Sequence, residues 1–258
     1  MEGINLQRFT RGLTENLEPP VRQHLKNVYA TFTLASIAAA AGGYAHMYST
    51  LVGAGLLTAL SALGSLLWLM MTPYDGKNQL QRLSLLGSFA FFTGCNLGPL
   101  LDLAMIVNPT LIMQALLGTS VVFACFSLSA LYAPRGHYLY LGGTLFSALS
   151  TLFWLSMLNI FFGSRLIFQV NLYLGLLVMC GFIIFDTQNI TEKARRGDKD
   201  YVMHSVELFI DFVAVFKRAS NRVSMVRVLK VWVILHKAAA RFFLLAASLT
   251  AELCESGS

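Results

Sequence analysis

Residues 27–74 decide the fold, because the stretch NVYATFTLASIAAAAGGYAHMYSTLVGAGLLTALSALGSLLWLMMTPY contains no Asp, Glu, Lys or Arg. A membrane-spanning helix needs about 20 mainly apolar residues, so this run is too long for one span and fits two. We expect the first span at 27–47 and the second at 52–72, with the turn near residues 46–55.

The composition of the whole chain agrees with a membrane location. Of the 258 residues, 56% are hydrophobic and only 12% are charged, and this is about half the charged share of a soluble domain. Such a composition excludes a soluble globular enzyme and a disordered chain. Membrane β-barrels consist of short alternating strands, so the long continuous apolar runs exclude that class as well.

Further apolar segments follow the first two spans. We place spans at 83–101, 110–132, 138–160 and 166–187, and a seventh, shorter and less apolar segment at 202–217. A charged loop at 191–200 separates the last two segments. The sequence therefore predicts an all-α integral membrane protein, a bundle of six to seven transmembrane helices.

The basic residues are divided unequally between the two sides of the predicted bundle. Residues 1–216 contain 12 Lys and Arg, of which 11 lie in the N-terminal segment or in loops on the same side. Only Arg165 lies on the other side. Because an excess of Lys and Arg marks cytosolic loops, we place the N terminus in the cytosol and expect an uncleaved first span.

Three regions follow from these patterns. Residues 1–26 form a cytosolic N-terminal segment, 27–217 the transmembrane bundle and 218–258 a basic, partly amphipathic C-terminal tail. The side of the tail stays open, because segment 202–217 either crosses fully or stops short. A basic tail beside a membrane predicts contact with anionic lipid or an acidic partner, and it gives no reason to expect nucleic acid.

Acidic residues within the spans are the candidates for function, because a charged side chain is costly in hydrocarbon. Asp186 lies at the cytosolic end of the sixth span, and Glu207 and Asp211 lie in the seventh segment. His204, Glu207 and Asp211 share one face of a helix, since they are spaced three and four residues apart. We expect this face to point into the bundle or a water-filled path, with His204 and Glu207 as accessory polar groups.

A short loop joins the last two segments, so Asp186 and Asp211 are expected to approach each other. Two adjacent carboxyl groups do not ionise independently, and they share one proton. They also supply the oxygen ligands that hard divalent cations prefer. The pattern predicts a pH-sensitive cation site. The alternative for Asp186 is an interfacial residue at a helix end, bonded to its neighbours.

Several short motifs occur in a characteristic order. They are Leu-Gly-Pro at 97–99, Phe-Asp-Thr-Gln at 185–188, Gly-Asp-Lys-Asp-Tyr at 197–201 and Leu-Phe-Ile-Asp-Phe at 208–212. With these motifs, residues 20–217 resemble the Bax inhibitor-1 family, the transmembrane Bax-inhibitor-motif proteins, and most closely its animal members. The tail after residue 217 departs from the short lysine-rich tail of those members, so functions that depend on the tail are not carried over.

The resemblance implies a multi-pass protein of the endoplasmic reticulum membrane that suppresses cell death. It implies a calcium leak stimulated by cytosolic acid, a central last helix, and a di-aspartyl pair that maps onto Asp186 and Asp211. Calcium is then the transported ion, held at these two residues, and no cofactor is expected. Channel and exchanger remain alternatives. Anti-apoptotic Bcl-2-family proteins and the sensor of the unfolded protein response are the partners that the resemblance implies.

Two other functional classes are compatible with a membrane bundle that carries acidic residues. A non-conducting anti-apoptotic scaffold that binds Bcl-2-type proteins and stress sensors is the main alternative. An intramembrane aspartyl protease also carries two membrane aspartates, but Asp211 lies in Leu-Phe-Ile-Asp and not in the Gly-x-Gly-Asp of that family. The histidines are scattered and no phosphate-binding loop is present. We therefore do not expect an enzyme.

Overall fold

Eight helical segments follow one another in the part of the chain that the computed structural model describes, which comprises residues 18–48, 54–107 and 109–220. Every regular element among these residues is a helix. The segments are α1 Pro19–Tyr48, α2 Leu56–Met71, α3 Gln79–Asn96, α4 Gly98–Val107, α5 Thr110–Tyr132, α6 Leu141–Phe162, α7 Arg165–Arg195 and α8 Tyr201–Ala219.

Five spans are long and apolar enough to cross a membrane, with α3 and α4 together forming the span Gln79–Ile106. The outward faces are apolar, as in a protein whose solvent is lipid. On α6, for example, Phe153 and Trp154 are 60% and 64% exposed. The prediction of an all-α membrane bundle is confirmed.

The last helix, α8, is central. It contacts α1, α3, α5 and α7, and its side chains contribute to all three clusters of buried apolar residues. Residues on opposite faces of α8 are therefore buried, among them Val206 and Leu208. The expected central position of the last helix is confirmed.

Several helix ends differ from the predicted bounds, because hydropathy marks the apolar run and not the helix. The first helix begins at Pro19 instead of residue 27. The apolar run at 83–101 is divided between two helices, because α3 ends at Asn96 and α4 begins at Gly98. Pro99 lies in the first turn of this new helix, where its missing N–H costs nothing.

The largest correction concerns the predicted loop at 191–200. Helix α7 continues through the first half of this charged stretch to Arg195. A Glu192–Arg195 ion pair of 3.3 Å supports its last turn, and Gly197, at φ 93°, provides the left-handed turn that follows. The loop that joins α7 to α8 is consequently shorter than predicted.

Two predicted regions lie partly outside the described residues. The N-terminal segment 1–26 is described only from residue 18, and the tail 218–258 only to residue 220. The structure therefore tests mainly the predicted bundle.

The two ends of the bundle are named here for later use. The basic end is the one where α1, α3 and α8 begin and where α7 ends. The opposite end is the far end.

Candidate functional site

Asp186 lies inside α7 and not at its end, which corrects the position predicted from hydropathy. The helix continues past Asp186 to Arg195, about two and a half turns further. The side chain is partly buried. The alternative placed Asp186 at a helix end, and the structure places it inside the helix instead.

The structure brings Asp186 and Asp211 together. The carboxyl groups of the two residues face each other across the seam between α7 and α8, close enough to interact directly. Asp211 is only 5% exposed, and its Oδ2 atom has no hydrogen-bond partner among the described residues. The second oxygen of Asp211 is thus a buried acceptor that is available to a proton or a cation.

This pair differs from a permanent metal site. No cluster of three or more His, Cys, Asp or Glu side chains that could hold a metal occurs within the described ranges. Two carboxyl groups alone supply fewer oxygens than the six to eight ligands that calcium takes.

Glu207 lies one turn before Asp211, and its partner is a lysine of α7 and not Asp186. Its Oε1 atom accepts a hydrogen bond of 2.9 Å from Nζ of Lys193 on α7. The Oε2 atom of Glu207 is buried without a hydrogen-bond partner among the described residues. Glu207 therefore adds negative charge near Asp186, and Lys193 partly offsets it.

His204 is buried, but its partners are residues other than Asp186 and Asp211. Its Nδ1 atom lies 2.9 Å from Nε2 of His24 on α1. On the other side of the ring, Nε2 lies 3.6 Å from Oδ2 of Asp198. The accessory polar face thus divides into a histidine pair at the basic end and the carboxyl groups deeper in the bundle.

An ion pair fixes the start of α8. Arg82, which is 3% exposed, donates a hydrogen bond of 2.6 Å from Nη2 to Oδ2 of Asp200. The other oxygen of Asp200 accepts from the backbone N–H of Met203 and so caps α8. Asp200 joins α3 to the first turn of the helix that carries Asp211.

Sequence reasoning missed most partners of the polar face. The missed residues are His24, Arg82, Lys193, Asp198 and Asp200. They belong to other helices or to the α7–α8 loop, and no local spacing relates them to Glu207 or Asp211. A basic residue at the start of a span, such as Arg82, is the one available signal, because its burial would require an acidic partner.

Comparisons with known proteins place the chain among relatives from animals and a plant. The sequence profile described as inhibitor of apoptosis-promoting Bax1 matches residues 21–230. Bax inhibitor 1 of Mus musculus is 54% identical over 203 residues, which cover 79% of this chain and 86% of that protein. Bax inhibitor 1 of Arabidopsis thaliana is 46% identical over 204 residues, with 78% and 81% covered. Bax inhibitor 1 of Drosophila melanogaster is 43% identical over 212 residues, with 82% and 86% covered.

Proposed function

Because the chain belongs to the Bax inhibitor family, we propose that it suppresses cell death as a calcium leak in the endoplasmic reticulum membrane. In this proposal the leak depends on pH, and Asp186 and Asp211 are the ion and proton site. The chain acts without a cofactor and without catalysis. The name of the relatives supports the cell-death role, and the chemistry of the bundle supports the leak.

The observation that carries the proposal is the contact between two carboxyl groups in the core of a membrane bundle. Such a contact is unfavourable when both groups are charged, so it requires a shared proton or a cation. Asp211 has no arginine or lysine within its own helix face until Arg218, two turns away. Lys193 of α7 lies near Asp186 but is paired with Glu207, so a shared proton or a bound cation is the remaining counter-charge of the pair.

Competition between a proton and calcium would make the leak depend on pH. When one proton is shared, the pair carries a single negative charge and attracts a divalent cation less strongly. When the proton leaves, both carboxylates become ligands with affinity for calcium. The direction of the change in flux depends on whether binding or release limits transport, so the test compares two pH values.

The orientation follows from the charges at the basic end. Arg82, Lys193 and Arg195 all lie there, together with the first residue of α1, Pro19. We infer that this end faces the cytosol, because Lys and Arg are retained on that side of a membrane. The pair would then sense cytosolic pH through the polar side chains of α8 that precede it.

Calcium efflux from liposomes that contain the purified full-length chain tests the proposal. We compare pH 6 and pH 7.5 for the wild type, Asp186→Asn, Asp211→Asn and the control Asp75→Asn, which removes an exposed carboxylate from the α2–α3 loop. The wild type and the control are expected to conduct at rates that depend on pH. Each variant of the pair is expected to lose that dependence, because one carboxyl group cannot share a proton with an amide in the same way.

The alternative is a non-conducting scaffold that binds anti-apoptotic Bcl-2-type proteins and the sensor of the unfolded protein response. One observation favours it: Asp211 is enclosed, and the nearby core residues Ile183 and Leu208 are 0% and 1% exposed, so conduction requires the bundle to open. Wild-type efflux no faster than that of empty liposomes would overturn the leak and leave the scaffold. Efflux that is indifferent to both Asn variants would overturn the role of the pair.

A further inference from the structure

Three carboxyl groups and one ammonium group form a cluster at the seam between α7 and α8. The carboxyl groups belong to Asp186, Glu207 and Asp211, and the ammonium group belongs to Lys193. Glu207 interacts electrostatically with both aspartates. It precedes Asp211 by four residues on one face of α8, a spacing at which the Cβ atoms lie about 5–6 Å apart. Of these four groups only one is basic, so the cluster is short of positive charge.

The ammonium group of Lys193 is bound by Glu207. Its Nζ atom donates a hydrogen bond of 2.9 Å to Oε1 of Glu207, and the two side chains are 36% and 26% exposed. Lys193 follows Asp186 by seven residues on α7, which places its backbone about 10 Å closer to the basic end. The ion pair therefore holds the carboxyl group of Glu207 on the basic-end side of the aspartates.

Two carboxyl oxygens of the cluster have no hydrogen-bond partner in the part of the chain that the structure describes. They are Oδ2 of Asp211 and Oε2 of Glu207, and Asp211 as a whole is only 5% exposed. A buried acceptor without a donor is costly, so both oxygens favour a cation or a proton. They belong to neighbouring turns of one helix, and rotation of the Glu207 side chain brings them to the same ligand.

We propose that Glu207 is a third ligand of the divalent-cation site of Asp186 and Asp211, and that Lys193 is a built-in competitor that withholds it. The inference rests on the proposed ion site and adds two residues to it. While Lys193 binds Glu207, the described residues present no assembled group of three ligands for a metal. Once Glu207 turns to the aspartates, three carboxylates supply up to six oxygens, which is the lower limit for calcium.

The competitor keeps the affinity of the site low. A cation that recruits Glu207 has to break the hydrogen bond between two charged groups, and the free energy of that bond is subtracted from the free energy of binding. The ammonium group of Lys193 is then hydrated, because its side chain is partly exposed at the basic end. The cation carries two charges and contacts three carboxylates, whereas Lys193 carries one charge and contacts one.

Equilibrium binding of radioactive calcium to the purified full-length chain in detergent at pH 7.5 tests the competitor. Lys193→Gln is expected to bind calcium about tenfold more tightly than the wild type, because Glu207 is released. Lys193→Arg keeps a cationic donor for Glu207 and should stay near the wild type. Lys199→Gln is the matched control: it removes the same charge from an exposed lysine of the α7–α8 loop and should leave binding unchanged.

Glu207→Gln in the Lys193→Gln background identifies the ligand. The gain in affinity should disappear in this double variant, since the released carboxylate is gone. A gain that persists there would overturn the role of Glu207, because it would come from the loss of a positive charge alone. Equal gains in Lys193→Gln and Lys199→Gln would overturn the proposal as well. So would a lower melting temperature of Lys193→Gln without tighter binding, which is the result for a purely structural ion pair.

The Asp186→Asn and Asp211→Asn variants separate this inference from the proposed ion site. Calcium binding that is lost in both Asn variants but is unchanged in Lys193→Gln overturns the competitor and keeps the site. Binding that is equally tight in the wild type and in both Asn variants overturns the site and, with it, the three-carboxylate arrangement. No calcium binding by any variant, with each protein shown to be folded by its melting curve, overturns both.

Discussion

Nε2 of His24 and Nδ1 of His204 lie 2.9 Å apart, although the two residues are 180 positions apart in the chain. The contact joins the first helix to the central one at the basic end, and His204 is only 2% exposed. Two imidazole nitrogens at this distance hold one hydrogen between them. A second proton would place two N–H groups against each other and break the contact.

This contact contributes stability that is lost as the pH falls. The folded pair accepts at most one proton without separating, whereas two unfolded histidines accept two below about pH 6.5. At these two positions the folded state therefore binds fewer protons, so the contribution of the contact rises with pH in this range. Asp198, Asp200, Glu207 and Lys193 are the charged groups around the pair. We expect removal of the contact to lower the melting temperature in detergent more at pH 7.5 than at pH 5.5.

His24→Gln checks the source of that pH dependence. It should lower the free energy of unfolding by about 1–2 kcal/mol at pH 7.5, because the buried ring of His204 loses its partner. The loss should be smaller at pH 5.5, because protonation has already weakened the contact there. His137→Gln, which changes an exposed histidine in the α5–α6 turn, is the control. Equal pH dependence in His24→Gln and the wild type would contradict the assignment.

The buried Arg82–Asp200 ion pair predicts that substitution of Asp200 destabilises the protein. Asp200→Asn keeps the N-cap of α8 but leaves the guanidinium of Arg82 without its carboxylate, which costs about 3 kcal/mol. Asp200→Ala also removes the cap, which adds about 1 kcal/mol. Thermal unfolding in detergent measures both.

Glu18→Gln provides the reference for an exposed ion pair. Glu18 pairs with Arg135 at 3.3 Å, and the two side chains are 52% and 67% exposed, so the change should cost less than about 0.5 kcal/mol. A similar loss in Glu18→Gln and Asp200→Asn would show that burial of Arg82 is not the cause.

Close packing between α1 and α3 predicts a strong effect of adding single methyl groups. A Cβ atom at Gly42 would overlap the carbonyl group of Phe91, and one at Gly94 would overlap the backbone of Ala39. Gly94→Ala should therefore push the two helices apart and cost about 3 kcal/mol or more. The change should be visible as a lower melting temperature.

Gly87→Ala is the matched substitution on the same helix. A Cβ atom at Gly87 meets nothing within 4 Å, so the change should be neutral or stabilise α3 by up to about 1 kcal/mol through helix propensity. Destabilisation by both alanines to the same extent would mean that the loss comes from the helix backbone and not from the contact.

The hydrogen bonds of Gln188 predict that removal of its side chain opens the turn between α5 and α6 locally. Its amide nitrogen donates to the carbonyl oxygens of Ala130 and Pro134, and its Oε1 atom accepts from the backbone N–H of Tyr138 at 2.7 Å. Gln188→Ala should cost about 1–3 kcal/mol, because these buried groups lose their partner.

Hydrogen exchange locates this effect. The amide of Tyr138 should exchange faster in Gln188→Ala and remain protected in Gln81→Ala, where the side chain is exposed on α3. Unchanged protection of Tyr138 in Gln188→Ala would contradict the role of Gln188 in the turn.

The local patterns of the sequence predicted the helices and one face of α8. The span at 110–132 coincides with α5, Thr110–Tyr132, because an apolar run bounded by turn residues is visible without knowledge of the fold. The spacing of His204, Glu207 and Asp211 likewise places them on one face, since helical periodicity is a property of the segment itself. The extension of α7 to Arg195 was missed, because charged residues can continue a helix beyond the apolar run.

The sequence by itself determined that the chain forms membrane helices, and it identified Asp186 and Asp211 as the costly residues that need an explanation. Only the tertiary structure decided the partners: His24 for His204, Lys193 for Glu207, Asp200 for Arg82. The reason is physical. Hydropathy and periodicity depend on neighbours in the chain, whereas the partner of a buried polar group depends on which helices pack together and at what height along their axes.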